Sequence, residues 1–285
     1  MPRAHPALHH AGPVIRAQAF TGTMILKVVR SALADFDRGL RMRNVWMALA
    51  HEDIGDQHKR TTLGPVWLLI NYLAFAGTFV VMFGNNQSIP HFAVYVLLGL
   101  FVWLYLTEVV TQSVTLFTRE ESFIKGTTLP LTVYALRMTM QSVIRAGYAL
   151  AGCIAMLLFL GTPFTVEWLW SGLALILIVI ATPAAILVLA VAGAFFPDLN
   201  FIVQNVMRIG MFVTPIFWLK PAGGIQAEIY RWNPFTYFLE IVRLPVLDAK
   251  FPIAAFGICA IVTVFLWVMA ALLLGEYRKK IVFVL

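Results

Sequence analysis

The residues able to do chemistry fall into a few groups. Asp35-Phe36-Asp37 is formally a DxD, the carboxylate pair with which some glycosyltransferases hold a metal and a sugar nucleotide. Three-residue patterns recur by chance, and on a helix this one reads as solvated charge flanking a buried Phe. His51, Glu52, Asp53, Asp56, His58, Lys59 and Arg60 form the densest polar cluster, which invites a metal. HEDIGDQH has no HExxH register, however, and a polar collar just outside a first membrane span is commonplace, so no metal site is assigned. Arg119, Glu120, Glu121, Ser122, Phe123, Ile124 and Lys125 form a polar interruption between two apolar runs. Ser122 offers a possible helix cap, Phe123 and Ile124 two apolar knobs, and Gly126 and Pro130 stop signals. That stretch reads as a short helix presenting a docking surface, or as a connector whose charges keep it in water. Glu108, Arg145 and Arg208 lie inside apolar runs, where an ion must face protein or a water-filled path. Glu108 could pair with either arginine, and Arg137 lies near enough to a span end to snorkel. There is no GxxxxGK[ST] phosphate loop, no pair of catalytic carboxylates and no nucleophile beside a base. The chain has no visible engine of its own.

The elements that carry these residues are dictated by composition. At 285 residues, 60% hydrophobic and 12% charged, the chain has too little polar surface to cover a soluble globule. It reads as an all-α integral membrane protein, with a mean hydropathy of +0.83. The net charge of +7 sits mainly in loops, as attraction to anionic lipid headgroups and as an orientation signal, with no reason to invoke nucleic acid. Cys153 and Cys259 both lie in apolar runs, as small hydrophobes.

Residues 1–23 read as a loose cytoplasmic N-terminus without a signal peptide. Over 24–60 comes an amphipathic interface helix and the polar collar. Ile25, Val28, Val29, Ala32, Leu33, Phe36 and Leu40 fall on one face, with Lys27, Arg30, Arg38 and Arg41 elsewhere. The membrane domain follows over 61–275, and 276–285 form a cytoplasmic tail. Its six predicted transmembrane helices lie near 63–84, 91–117, 134–160, 168–195, 201–220 and 253–274, each long enough for about 30 Å of hydrocarbon. Nine Lys or Arg precede the first span, Arg119 and Lys125 lie in the second connection, and Arg278, Lys279 and Lys280 end the chain. This places both termini in the cytoplasm. The connections 84–90 and 161–167 carry no Lys or Arg, as expected outside; Lys220, Arg231, Arg243 and Lys250 in the last outer connection dissent.

That last connection, 221–252, contains Trp232-Asn233-Pro234-Phe235 and a run broken by Glu240, Arg243 and Pro245, too short and too charged to span. It reads as short re-entrant helices before the last span, around an outer mouth, or as a surface loop. Aromatic residues crowd the first, second and fifth spans. Tyr72, Phe79 and Phe212 are the rings expected to line a polysaccharide path, if two copies meet about an axis.

The chain resembles the membrane subunits of polysaccharide-exporting ABC transporters of the ABC-2 type, from about residue 30 to the end. The resemblance rests on the surface helix, on Thr62-Leu63-Gly64-Pro65-Val66-Trp67, on 117–125 and on Trp232-Asn233-Pro234. It departs at His51-Glu52-Asp53-Ile54, where such proteins more often carry Arg before the Asp, which leaves the role of Glu52 open. It implies a permease in the bacterial inner membrane that acts with a second copy of itself and two ATP-binding subunits. Those subunits would hold ATP and Mg; this chain would bind no cofactor, and 119–125 would be the contact with the ATPase. The cargo implied is a lipid-linked polysaccharide, closest to O-antigen on undecaprenyl diphosphate, with capsule or teichoic-acid precursor as the near alternative.

Two other classes remain open at this point. A membrane-embedded glycosyl or acyl transferase would draw its acids from Asp35, Asp37 and the 51–58 cluster. A secondary transporter would need two similar halves, and no such repeat is present.

Overall fold

The computed structural model describes residues 13–59, 61–83, 91–219 and 223–285. The expectations for the extreme N-terminus, for the 84–90 connection, for the side chains of Ile25 and His58, and for Arg60 and Lys220 lie outside the described residues. Among those described, every regular element is a helix. In chain order they are α1 (Pro13–Arg41), α2 (Arg43–His58), α3 (Val66–Phe83), α4 (Phe92–Val114), α5 (Leu116–Arg119), α6 (Glu121–Gly126), α7 (Leu131–Phe159), α8 (Trp168–Phe195), α9 (Leu199–Val213), α10 (Ile225–Trp232), α11 (Pro234–Leu247) and α12 (Ile253–Val284).

Four of these, α4, α7, α8 and α12, are long and apolar enough to cross a membrane, and α3 and α9 are shorter apolar helices. The fifth predicted span is where the expectation of six full crossings gives way. With 15 residues, α9 rises only about 22 Å. The break has a local cause: Thr214 precedes Pro215 and is extended at φ −81°, ψ 142°, as the proline ring demands. At the other extreme α12 runs for 32 residues, so the predicted tail is a continuation of the last helix. The stretch read as a collar is a helix of its own, α2, and α1 begins at Pro13, inside the segment expected to be loose.

The core forms around α4, which packs against α3, α7, α8, α9 and α11 and buries Val96, Leu97, Leu100 and Trp103. On its far side α8 is held between α4 and α12. Gly193 on α8 is required there, since a Cβ would collide with the Val114 carbonyl. One end of the bundle gathers α1, α2, α6 and the C-terminal turns of α12; the opposite end gathers α10 and the start of α11.

The first helix departs from the lipid-facing picture. Its inward face is Ala32, Asp35, Phe36 and Gly39, packed on α12 and α7, whereas Leu33 and Leu40 point outward. Phe36 meets Trp267 edge-to-face at 4.8 Å. Asp35 is fully buried rather than solvated: its Oδ2 accepts from the backbone N–H of Thr132 at 3.2 Å and its Oδ1 pairs with Arg278 at 3.0 Å. A carboxylate from one helix thus caps a buried backbone amide at the start of another, where negative charge is favoured.

Candidate functional site

At the α6 end, one arginine organises the polar residues. Arg137, in the first turns of α7, donates from Nε and Nη2 to the two oxygens of Asp53, both at 2.6 Å, and from Nη1 to Glu120 at 3.0 Å. Gln141, one turn on, also donates to Asp53. Arg137 therefore bridges α2, α7 and the junction that starts α6, rather than snorkelling to lipid. Glu120 is correspondingly turned inward. The helix α6 itself stands on Ile124, which is buried, while Phe123 is 40% exposed and touches Tyr134 edge-to-face at 6.1 Å. Glu121 and Lys125 pair at 2.7 Å on its outer side, and Arg119 reaches Glu120 at 3.7 Å. Ser122 is exposed and makes no cap; Glu120 stands at the N-cap position and makes no side-chain cap bond either. The protein surface here is Phe123 flanked by Arg119, Ser122, Glu121 and Lys125.

The acids expected of a transferase divide into struts between helices and exposed local pairs, with Glu52 exposed on α2. Asp35 and Asp53 hold helices together as described, Asp37 pairs with Arg41 at 2.9 Å, and His51 Nδ1 lies 2.9 Å from the Met47 carbonyl. Asp56 pairs with Lys59, whose ammonium that hydrogen bond holds above its ordinary range.

A cleft runs beside α4, between α3 and α9, its largely apolar wall set with hydroxyls, amides and ions. On the α9 side it has a volume of about 540 Å³ and is lined by Thr107, Thr111 and Gln112 of α4, by Thr115 at its C-terminal cap, and by Asn200, Gln204 and Arg208 of α9. On the α3 side about 610 Å³ is lined by Asn71, Phe75 and Thr78 with Glu108 and Arg145. Leu104 borders both halves. Helical spacing produces the lining: Thr107, Thr111 and Thr115 recur every four residues along α4 and its C-terminal cap, and Asn200, Gln204, Arg208 and Phe212 do so on α9. Glu108 takes Arg145 as its partner, with Nε to Oε1 at 2.6 Å and the Ser142 hydroxyl at 3.3 Å. Arg145 continues to Gln57 of α2 at 3.3 Å. Arg208 makes no hydrogen bond or ion pair among the described residues.

The three rings expected on the path part company. Phe212 is 63% exposed, but Tyr72 is buried, its hydroxyl donating to the Leu97 carbonyl at 2.9 Å. A ring so placed braces α3 on α4, and the same residue borders the α3 side of the cleft. Phe79 stacks on Phe217 at 4.5 Å, 18° from parallel, joining α3 to the segment after α9. Phe75, which periodicity did not distinguish from its neighbours, lies in the cleft wall.

At the α10 end the non-helical 214–218 segment is clamped. Arg243 of α11, almost fully buried, donates to the Pro215 carbonyl at 2.6 Å and the Ile216 carbonyl at 3.3 Å, and lies 3.9 Å over the Tyr95 ring. The Tyr95 hydroxyl is 2.9 Å from the carbonyls of Pro215 and Trp218. The guanidinium occupies the notch left by Gly99, where a Cβ would collide with it. Asn233 caps α11, accepting from Phe235 N at 3.0 Å, and donates to Thr214 Oγ1 at 2.9 Å, with Pro234 in the first helical position. Trp232 is 78% exposed, whereas Phe235 turns inward onto Trp103 at 5.5 Å. Buried against α4, α8 and α12, α11 is part of the bundle and not a surface loop.

Four helices long and apolar enough to cross a membrane, with a short helix between two of them, are the frame of a multi-pass membrane protein. The chain belongs to the ABC-2 type transporter family, whose sequence profile matches residues 45–247, and is a multi-pass membrane permease without a catalytic domain. Membership implies ATPase partner subunits. Among curated proteins it is similar to an O-antigen export system permease protein RfbA of Klebsiella pneumoniae, 26% identical over 190 residues covering 65% of this chain and 72% of that one. It is likewise similar to the O-antigen export system permease protein RfbA of Myxococcus xanthus, 22% identical over 251 residues covering 84% and 94% of the two chains.

Proposed function

We propose that this chain is the transmembrane subunit of an ATP-driven exporter that moves a lipid-linked polysaccharide, of the O-antigen type carried on undecaprenyl diphosphate, out of the cytoplasm. Two copies face each other across the α3–α4–α9 cleft in the bacterial inner membrane, with α1, α2, α6 and both termini cytoplasmic. Two ATP-binding subunits, which hold ATP and Mg, dock on α6. The observation that carries this reading is the cleft itself. Its hydroxyls, amides and rings would each bind a sugar weakly, and weak repeated binding is what lets a polymer slide. The names of the similar permeases support the choice of glycan.

In the same reading α6 is the coupling contact: Phe123 is the knob that enters the ATPase subunit, and the ion pairs around Arg137 make the loop rigid enough to transmit its motion. Trp232, Asn233, Pro234 and Phe235 stand at the outer mouth. The test is co-purification with the ATP-binding subunit, followed by nucleotide hydrolysis with and without lipid-linked glycan in proteoliposomes. Stimulation by O-antigen linked to undecaprenyl diphosphate supports the reading; stimulation by a teichoic-acid or capsule precursor alone reassigns the cargo, and no stimulation by any of them overturns it.

A further inference from the structure

We infer that Arg208 is the cation that carries the phosphate-bearing head of a lipid-linked glycan through the α4–α9 half of the cleft. This rests on the reading of the cleft as the path. A glycan carried on a lipid diphosphate brings to the bilayer an anion whose desolvation is prohibitive unless a cation meets it. Two arginines border the cleft, and they differ. Arg145 is paired with Glu108 at 2.6 Å and with Gln57, which offsets its charge, although its Nη2 is buried without a hydrogen-bond partner among the described residues. Arg208 is exposed within the groove and has no partner among the described residues.

A guanidinium with an open fork of donors suits phosphate oxygens, two at a time. It stands nine residues into α9, about 14 Å along the helix from Leu199, well away from the bundle end where a lysine or arginine would only meet headgroups. The flanking groups suit the sugar next to the phosphate. Gln204 donates to Asn200 at 3.0 Å and keeps its own carbonyl free, and the Thr107 hydroxyl opposite is buried without a hydrogen-bond partner. A buried hydroxyl in that state is costly unless a ligand or water engages it. One turn beyond Arg208 stands Phe212, 63% exposed, as the next surface a sugar ring would meet. The order along α9 is therefore amide, amide, cation, ring: a place for the anion followed by a place for the sugar.

The test uses the permease assembled with its ATP-binding subunit in nanodiscs, comparing wild type with Arg208→Gln and Arg208→Lys. The probe is undecaprenyl diphosphate without glycan, and the readout is its dissociation constant, with displacement by inorganic diphosphate as a second arm. Binding at least tenfold weaker in Arg208→Gln, partly restored in Arg208→Lys, with inorganic diphosphate displacing the lipid from wild type only, is the expected result. Displacement from Arg208→Gln as well would assign the anion to another cation and overturn the inference, as would equal affinity in all forms. A parallel measurement separates the two levels of the argument. If free glycan shields a cysteine placed at Phe212 in wild type and in Arg208→Gln alike while lipid affinity is unchanged, the path stands and the inference falls. If it shields that cysteine in neither, the path itself falls, and the inference with it.

Discussion

Arg137 holds Asp53 from two sides, its Nε and Nη2 each 2.6 Å from a different carboxylate oxygen, and the same guanidinium reaches Glu120 at 3.0 Å. A bidentate contact from α7 to α2, with a third bond to the start of α6, makes this a strong polar joint at that end of the bundle. Because the side chains of Arg137 and Asp53 are still 15% and 22% exposed, solvent screens part of it. A double-mutant cycle of Asp53→Asn and Arg137→Gln should give a coupling energy of about 1–3 kcal/mol in thermal unfolding of the detergent-solubilised protein. Additive losses would mean that the joint is incidental to stability.

Phe123 and Ile124 are adjacent yet should fail differently. Phe123→Asp puts a carboxylate on the exposed knob, so the chain should insert and melt normally but lose the ATP-binding subunit on purification, since burying an unpaired charge costs several kcal/mol, roughly 3–5. Ile124→Ala removes buried packing and should lower stability by about 2–3 kcal/mol. Retention of the complex by Phe123→Asp, with normal export, would remove α6 from the docking surface.

Lys27, Arg30, Arg38 and Arg41 all lie exposed on α1, Arg38 at 4.0 Å from Asp35 and Arg41 paired with Asp37. Their replacement by Gln should weaken contact with anionic vesicles at about 1 kcal/mol per cation, in a salt-dependent way. Asp35→Asn should instead loosen α1 from α7 and α12 at any salt, read as faster proteolysis of residues 27–41. Equal protease resistance in both variants would show that neither contact holds the helix.

Arg243 is the clamp on the break after α9. Arg243→Leu should strand the Ile216 carbonyl, leave the Pro215 carbonyl with Tyr95 alone, and cost about 2–4 kcal/mol. Gly99→Ala should produce a milder version of the same defect, because its methyl group takes the guanidinium's place. Unchanged melting of both would mean that the 214–218 segment is held by other contacts.

Much of this architecture was legible. The run at 168–195 matches α8 residue for residue, and the polar interruption at 119–125 and the short helices before the last span are present. Apolar length and Gly/Pro punctuation carry that information locally. What stayed hidden depends on partners far along the chain. Asp35 and Asp53 looked like free acids because Arg278 and Arg137 are distant in sequence; the latter pair lies 84 residues apart. The bracing bond of Tyr72 stayed hidden because periodicity cannot say which face of α3 meets α4. The shortness of α9 had a local signal in Thr214-Pro215. So did the stripe of Asn200, Gln204, Arg208 and Phe212, whose four-residue spacing places amide, cation and ring together.

The central claim is that the α3–α4–α9 cleft is the path of the glycan, and site-directed cysteine labelling tests it most directly. Cys153 and Cys259 are both fully buried and should give no background. With cysteines placed singly at Phe75, Phe212 and Tyr72, a membrane-impermeant maleimide should reach positions 75 and 212 in the idle complex and lose them when a glycan is stalled in transit. Position 72 should stay unreactive in both states. Equal reactivity of 75 and 212 with and without the stalled glycan, or access to them by lipid-soluble reagents alone, would put those helices against lipid and contradict the account.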